Sequence, residues 1–302
     1  KGENVFTITR TYDGLNRVTS YEDGKGKRIG YVYDKVGNLT DVIYPNGKKV
    51  TYAYDKNGSI KKLTDWDERI TTYDYDVNGR LVKTTRPNGT VETRAYDKMG
   101  RLTLILDKAG GTEVNHQEYC YDAAGNITET KSLGNKTLEH SDVSDVKMTY
   151  DKNNRLITYN GKDVEYDKDG NMVYGPLQGK MVSFLYDCRN RLIQAGDTTY
   201  EYDAEDNRIA EINGNSRIEY VINTQPELSQ ILQSISIVGN RKEETYYYYG
   251  NGLTAQDNGT DYLTYHFNNV GSTMAVTDEK GNIAGTYEYS PYGQILHKEG
   301  TA

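Results

Sequence analysis

The chain has 302 residues and a net charge of −8, a mild acidity that argues against nucleic acid, which needs clustered Lys and Arg. No apolar stretch approaches the ~20 residues of a membrane-spanning helix, so no membrane span is expected. Leu, Ile, Val and Phe make only about a fifth of the residues, near the range of disordered chains, yet the chain carries 29 Tyr, a residue suited to a half-buried pleated surface. That combination points to strands and turns around a thin core, in one large β domain or two ordinary ones. The start at Lys1, without Met, suggests a piece cut from something longer.

In chain order, Tyr-Asp recurs at Tyr12-Asp13, Tyr33-Asp34, Tyr54-Asp55, Tyr75-Asp76 and Tyr96-Asp97, a step of 21 residues. It continues less regularly at Tyr121-Asp122, Tyr150-Asp151, Tyr166-Asp167, Tyr186-Asp187 and Tyr202-Asp203. A fixed period in this range marks an array or solenoid. Three places after each Asp stands Asn16, Gly37, Gly58, Gly79, Gly100, Gly125, Asn154, Gly170, Asn190 or Asp206. These residues tolerate a left-handed backbone. Asp first and Gly or Asn fourth is the chemistry of a type I turn with a bulge, closing a hairpin. Each Asp is therefore expected to serve the turn, not catalysis.

Two places beyond the bulge residue lies Val18, Leu39, Ile60, Leu81, Leu102, Ile127, Leu156, Met172 or Leu192; the last copy slips, with Arg208 there and Ile209 next. The Tyr should end the preceding strand. Another Tyr two places earlier, at Tyr31, Tyr52, Tyr73, Tyr119 and Tyr200, shares its face. Met148, Val164 and Phe184 hold that place elsewhere, and Arg10 and Arg94 are exceptions. The resulting Tyr ladder, at about 0.2–1 kcal/mol per cross-strand pair, offsets the shortage of aliphatic residues.

Midway through each unit a second turn is expected at Pro45-Asn46-Gly47, Asp65-Trp66-Asp67, Pro87-Asn88-Gly89 and Asp107-Lys108-Ala109-Gly110. Each unit then holds two strands of about six residues, on the order of 25 strands in all. Val50 and Ile29 are in phase with the Tyr face and Ile70 and Val91 are not, which implies bulges. So long a sheet should curl. The fold expected is all-β: a long antiparallel β-hairpin array coiled into a spiral or partial barrel. "PELSQILQSI" (226–235) fits either a short helix or a strand.

The copies "YDKVGNL", "YDVNGRL", "YDKMGRL" and "YDAAGNI" resemble the YD repeats of the RHS family, found in bacterial polymorphic toxins, wall-associated proteins, insecticidal toxin-complex subunits and animal teneurins. "YVINTQPELSQIL" (220–232), "YYYYGNGLTAQ" (246–256) and "YHFNNVGSTMAVTDEKGNIAGTYEYSPYGQIL" (265–296) are similar to the segment leading into the RHS-associated core. The resemblance divides the chain into a hairpin array, 1–219, and a core-associated segment continuing the same sheet, 220–302. It departs at Asn268 and Asn269, where the family usually has Asp and His. The family's aspartate-dependent self-cleavage motif is expected after Ala302, so no Asp here inherits that role. The resemblance implies a secreted or surface-displayed shell segment that encloses or presents a C-terminal toxin-like polypeptide. The alternative is a module binding a cell-wall or surface glycan.

Other features have plain readings. Loops 55–59 and 167–171 resemble the start of a calcium loop but lack a recurring closing Glu; no metal and no cofactor is expected. Asn38, Asn57, Asn88, Asn126, Asn135 and Asn258 stand in glycosylation sequons that turn composition alone produces. Trp66, in a mid-repeat turn, is a weak binding candidate that could stack on a sugar or simply cover a strand. His116, His140, His266 and His297 show no catalytic or metal spacing, and no enzyme is expected. Cys120, in a strand, and Cys188, in a turn, are not expected to pair. The structural turn and ladder residues are Tyr33, Asp34, Gly37, Tyr54, Asp55, Gly58, Tyr75, Asp76, Gly79, Tyr96, Asp97, Gly100, Tyr121, Asp122 and Gly125.

Overall fold

The computed structural model describes residues 7–132, 146–290, 293 and 295–300. Among them lie 29 strands in three sheets and no helix, and within each sheet sequence neighbours pair antiparallel. The sheets do not close into a barrel. Nine strands begin at the aliphatic residues Val18, Leu39, Ile60, Leu81, Leu102, Ile127, Leu156, Met172 and Leu192, and the strand after the slipped copy begins at Arg208. Each opens opposite the Tyr that ends the previous strand, as Leu39 opposite Tyr33 and Ile60 opposite Tyr54, with a register shift beside that Tyr. The bulges thus sit at the Tyr-Asp ends, where the extra turn residue has to be absorbed.

The chain forms two compact units. The larger takes Thr9–Lys136 and Thr245–Ala302. Its first part is a 12-stranded sheet from Thr9 to Ser132, with strands in sequence order. Its second part runs from the end of Arg241–Gly250 through Gly252–Asp257, Tyr262–Phe267, Thr273–Thr277, Ile283–Tyr289 and Ile295–Gly300. Inward residues of the first part are Ile29, Tyr31, Val50, Leu63, Thr71, Tyr73 and Glu92, all buried. The 21-residue column Ile29, Val50, Thr71 and Glu92 keeps this inward phase, which places Thr71 and Glu92 inside and leaves Ile70 exposed.

The smaller unit takes Lys1–Ile8 and Thr137–Glu244. It holds a three-stranded sheet, Met148–Tyr150, Leu156–Tyr159 and Lys162–Asp163, and a longer ladder from Glu165–Tyr166 to Gln230–Val238. Its buried apolar residues include Phe184, Ile209, Val221, Leu232 and Ile235. Segment 226–235 holds no helix: residues 226–229 are irregular and strand begins at Gln230, Gln230–Val238 pairing with Ser216–Asn223. Leu232 and Ile235, three apart, are both buried because Leu232 is the extra residue of a one-residue register shift.

One turn expected from the sequence lies elsewhere. Asp107-Lys108-Ala109-Gly110 is not a turn around Asp107, because the strand Leu102–Ala109 runs through it and closes at Gly110-Gly111 opposite Thr112. The extra length turns Asp107 into a fully buried strand residue.

Candidate functional site

The Tyr-Asp turns are alike from copy to copy. In each, the Asp N–H donates to the carbonyl four residues on and the +3 N–H donates back to the Asp carbonyl, as for Asp76 with Arg80 and Gly79. All ten +3 residues have positive φ, including Asn16 at 62°, Asn154 at 62°, Asn190 at 59° and Asp206 at 67°. Each carboxylate accepts N–H groups of its own turn. Asp76 Oδ1 accepts from the N–H groups of Asn78 and Arg80, each at 2.9 Å, and Oδ2 accepts from Arg80 Nε at 2.7 Å. Asp34, Asp97 and Asp122 repeat this with Asn38, Arg101 and Asn126. Asp55 and Asp167, in the loops that resemble calcium sites, give their Oδ1 to backbone N–H groups in the same way.

In six pairs the Tyr joins successive hairpins, Tyr166 and Tyr202 by donating to the carbonyls of Leu156 and Leu192, each at 2.8 Å. Tyr54, Tyr75, Tyr96 and Tyr121 donate to the carbonyls of Leu39, Ile60, Leu81 and Leu102 at 2.7–2.8 Å. The Arg closing one turn covers the Tyr ring of the next: Arg17 over Tyr33 at 4.7 Å, Arg80 over Tyr96 at 4.6 Å, Arg101 over Tyr121 at 4.7 Å. Such cation–π contacts stabilise by about 0.5–1 kcal/mol at exposed sites.

Trp66 sits inside an aromatic cluster built from both parts of the larger unit. Its ring meets Tyr44 edge-on at 5.2 Å, Tyr246 edge-on at 5.3 Å and Tyr248 at 4.9 Å, with Lys48 Nζ 5.4 Å from its centre. Around it, Tyr44 and Tyr52 donate to the carbonyls of Tyr247 and Tyr249 at 2.6 and 2.8 Å. Tyr73 bonds Thr254 and leaves no room for a Cβ at Gly250. Arg69 bridges Asp65 and Asp257 while its guanidinium lies 3.9 Å from the centre of Tyr262. Edge-on and tilted aromatic pairs add about 0.5–1.5 kcal/mol each beyond area burial. This is how a chain short of aliphatic residues joins two sheets.

Farther along lies a buried charge cluster. Arg86 donates to Asp107 Oδ1 at 2.8 Å and Glu92 at 2.6 Å, and Arg94 donates to Glu92 at 2.5 Å. Asn115 donates to Asp107 Oδ2 and to the Phe267 carbonyl, each at 3.0 Å. His266 Nδ1 lies 2.8 Å from Asp107 Oδ1, and its Nε2 lies 2.9 Å from Thr277 Oγ1. Burial opposes ionisation of Asp107, but Arg86, His266 and Asn115 overcome it and hold the carboxyl at about 2.

Hydroxyl, imidazole and carboxylate in line have the order of a nucleophile–base–acid relay. Here Thr277, His266 and Asp107 are all without exposed surface, and Asn88 Nδ2 already donates to the Thr277 oxygen at 2.9 Å. No substrate carbonyl reaches that hydroxyl, so the relay joins strands.

The larger part of the sequence, residues 1–65 and 90–302, matches the family described as Teneurin YD-shell, and residues 54–91 match the RHS repeat. The chain belongs to the teneurin YD-shell family. As a YD-shell chain it has the fold of known shell structures. The crystal structure of TcdB2-TccC3-Cdc42 superposes over 96% of this chain with a TM-score of 0.66 at 13% identity. That of TcdB2-TccC3 does so over 96% with a TM-score of 0.62 at 15% identity. This chain spans about a fifth of those chains, 20% and 21% respectively. Comparison with curated protein sequences finds no match.

Within the YD-shell sequence, Asn268 takes the Asp role in a turn of the repeating kind. It receives N–H bonds from Val270 and Ser272 on Oδ1, and Gly271 has φ 84°. Asp278 with Gly281 is a further turn of this form. Asn88, in a sequon, is buried against Thr277 and the Asp278 carbonyl. Cys120 and Cys188 are both exposed free thiols. Asn135, His140, Pro291 and Tyr292 fall outside the described residues.

The buried charge cluster was not visible in the sequence. The available signal was the 21-residue column Tyr44, Asp65, Arg86 and Asp107, all four buried.

Proposed function

We propose that this chain is a wall segment of a YD-repeat shell that encloses or presents a C-terminal polypeptide, and that it performs no catalysis of its own. The observation that carries this reading is the use made of each repeat. The Asp closes a turn and, in six copies, the Tyr bonds the neighbouring hairpin, which builds surface area and leaves, among the described residues, no convergent acid, base and nucleophile open to solvent. Family membership and fold support it. One similar structure is that of TcdB2-TccC3 without its hypervariable C-terminal region, a TM-score of 0.54 at 17% identity. By analogy the passenger here would follow residue 302, and the shell would be secreted or displayed at the cell surface. Among the described residues, no helix is long and apolar enough to cross a membrane.

The test is protease protection of the polypeptide that follows residue 302 in the natural gene product, measured with and without residues 1–219. A wall predicts protection that is lost on deletion. Equal resistance without the wall, or full digestion within the intact product, would overturn the proposal.

A further inference from the structure

His266 stands where the two parts of the larger unit meet, on strand Tyr262–Phe267, with no exposed surface. Its hydrogen bonds fix the tautomer. Ionised Asp107 can only accept, so the ring proton lies on Nδ1, and Nε2 of the neutral ring accepts from the Thr277 hydroxyl, whose oxygen accepts from Asn88. Burial favours that neutral imidazole over the charged ring.

The charges around it are already balanced. Arg86 and Arg94 stand against Glu92 and Asp107 on the strands and turn of the first part. From the second part come the neutral Thr277 and the Asp278 carbonyl, which accepts from Asn88, while the Asp278 carboxylate is occupied by its own turn. Asn115 and Gln117 complete the cluster. A second ring proton would add an uncompensated charge beside Arg86 and remove the acceptor to which the Thr277 hydroxyl donates.

We propose that His266 is an acid-operated latch: proton uptake at Nε2 breaks the Thr277–His266–Asp107 chain and releases the strands after Thr245 from the face formed by Arg86, Asp107 and Asn115. Burial lowers the pKa of the ring, and the Asp107 bond opposes that shift without cancelling it. The open form binds the proton at about 6.5, the ordinary value. Latching is therefore complete above that pH and weakens as pH falls from there toward the lowered value of the closed form. One proton taken up on opening raises the open-to-closed ratio by up to about tenfold per pH unit. The latch is a property of this chain and holds whether or not a passenger is enclosed.

Trp66 is the sole tryptophan and contacts Tyr246 and Tyr248 of the second part, so its emission reports release. Acidifying the 302-residue chain from pH 7.5 to 5.0 should red-shift the emission reversibly, and His266→Gln should abolish the shift. A flat wild-type response, or the same shift in the variant, overturns the latch. If His266→Gln does not fold by far-UV circular dichroism, the wild-type imidazole is followed by NMR. It should take up its proton together with the emission change. Titration near 6.5 with unchanged emission overturns the proposal.

Discussion

Arg86 and Asp107 occupy the same place in successive 21-residue units and form a buried ion pair at 2.8 Å. A column that carries Tyr44 and Asp65 two units earlier thus switches from aromatic and capping chemistry to charge. The cost of burying these ions is met because each has several partners. Taking one away leaves the rest uncompensated. Arg86→Met should strand Asp107 and Glu92 and destabilise by about 3–5 kcal/mol, the range for breaking a buried pair. Urea unfolding measures it. A loss below about 1 kcal/mol would mean the cluster rearranges without its cation.

The Tyr96 hydroxyl donates to Leu81, and Arg80 covers the ring from the preceding turn. Tyr96→Phe should cost about 0.5–1.5 kcal/mol, the net worth of one such bond. Because Arg80 and Tyr96 touch, a double-mutant cycle with Arg80→Ala should show a coupling of about 0.5–1 kcal/mol. Strict additivity would show that neighbouring hairpins are not joined through this contact.

Gly58 has φ 82°, and a Cβ there would meet only Asn38 Oδ1, in ordinary contact at 4.0 Å. Strain there comes from the backbone, not from a clash. Gly58→Val should destabilise by roughly 1–2 kcal/mol, while Gly58→Asn, the choice made by the chain at Asn16 and Asn154, should be nearly neutral. Equal melting temperatures for the two variants would contradict this origin of the strain.

The hairpin repeat is legible in sequence because it is local: turn residues, bulge residue and first strand residue lie within six positions, as Asp34, Gly37 and Leu39 show. What lies opposite a strand across the interior is not local. His266 meets Asp107 across 159 residues, and no period links them. Asp107 itself reads as a turn residue because Asp-Lys-Ala-Gly is turn chemistry. The Gly110-Gly111 pair that follows closes the hairpin later and leaves the carboxylate inside. Glu92 is hidden for a related reason: Val91 is the apolar neighbour, yet the inward phase set by Ile29 and Val50 falls on the charged residue.

Asp187 represents the turn carboxylates in solution. The Arg191 side chain and backbone N–H, with the Arg189 N–H, hold its carboxyl at about 2, below its ordinary value. The unfolded chain binds the proton first as pH falls. The stabilisation is therefore present above about 3.9, the unfolded value, and is lost as pH drops toward 2. Melting temperatures of the chain and of Asp187→Asn should differ at pH 5 and converge near pH 2. A constant gap would show that the carboxylate acts by shape alone.

Trp66 separates packing from sugar binding. Its neighbours Tyr44, Tyr246 and Tyr248 lie against the ring, and Lys48 approaches it, so a hexose would have to displace contacts that hold two sheets together. Large-to-small truncation of a buried Trp costs about 3–5 kcal/mol. Since Trp66 is only half-buried, Trp66→Ala should cost about 2–3 kcal/mol by circular-dichroism-monitored denaturation, and Trp66→Phe distinctly less. Soluble cell-wall saccharides should leave the emission of the unmodified protein unchanged up to millimolar concentration. Saturable quenching by one sugar, together with a Trp66→Ala variant as stable as the parent, would reassign this ring from the sheet interface to a glycan site.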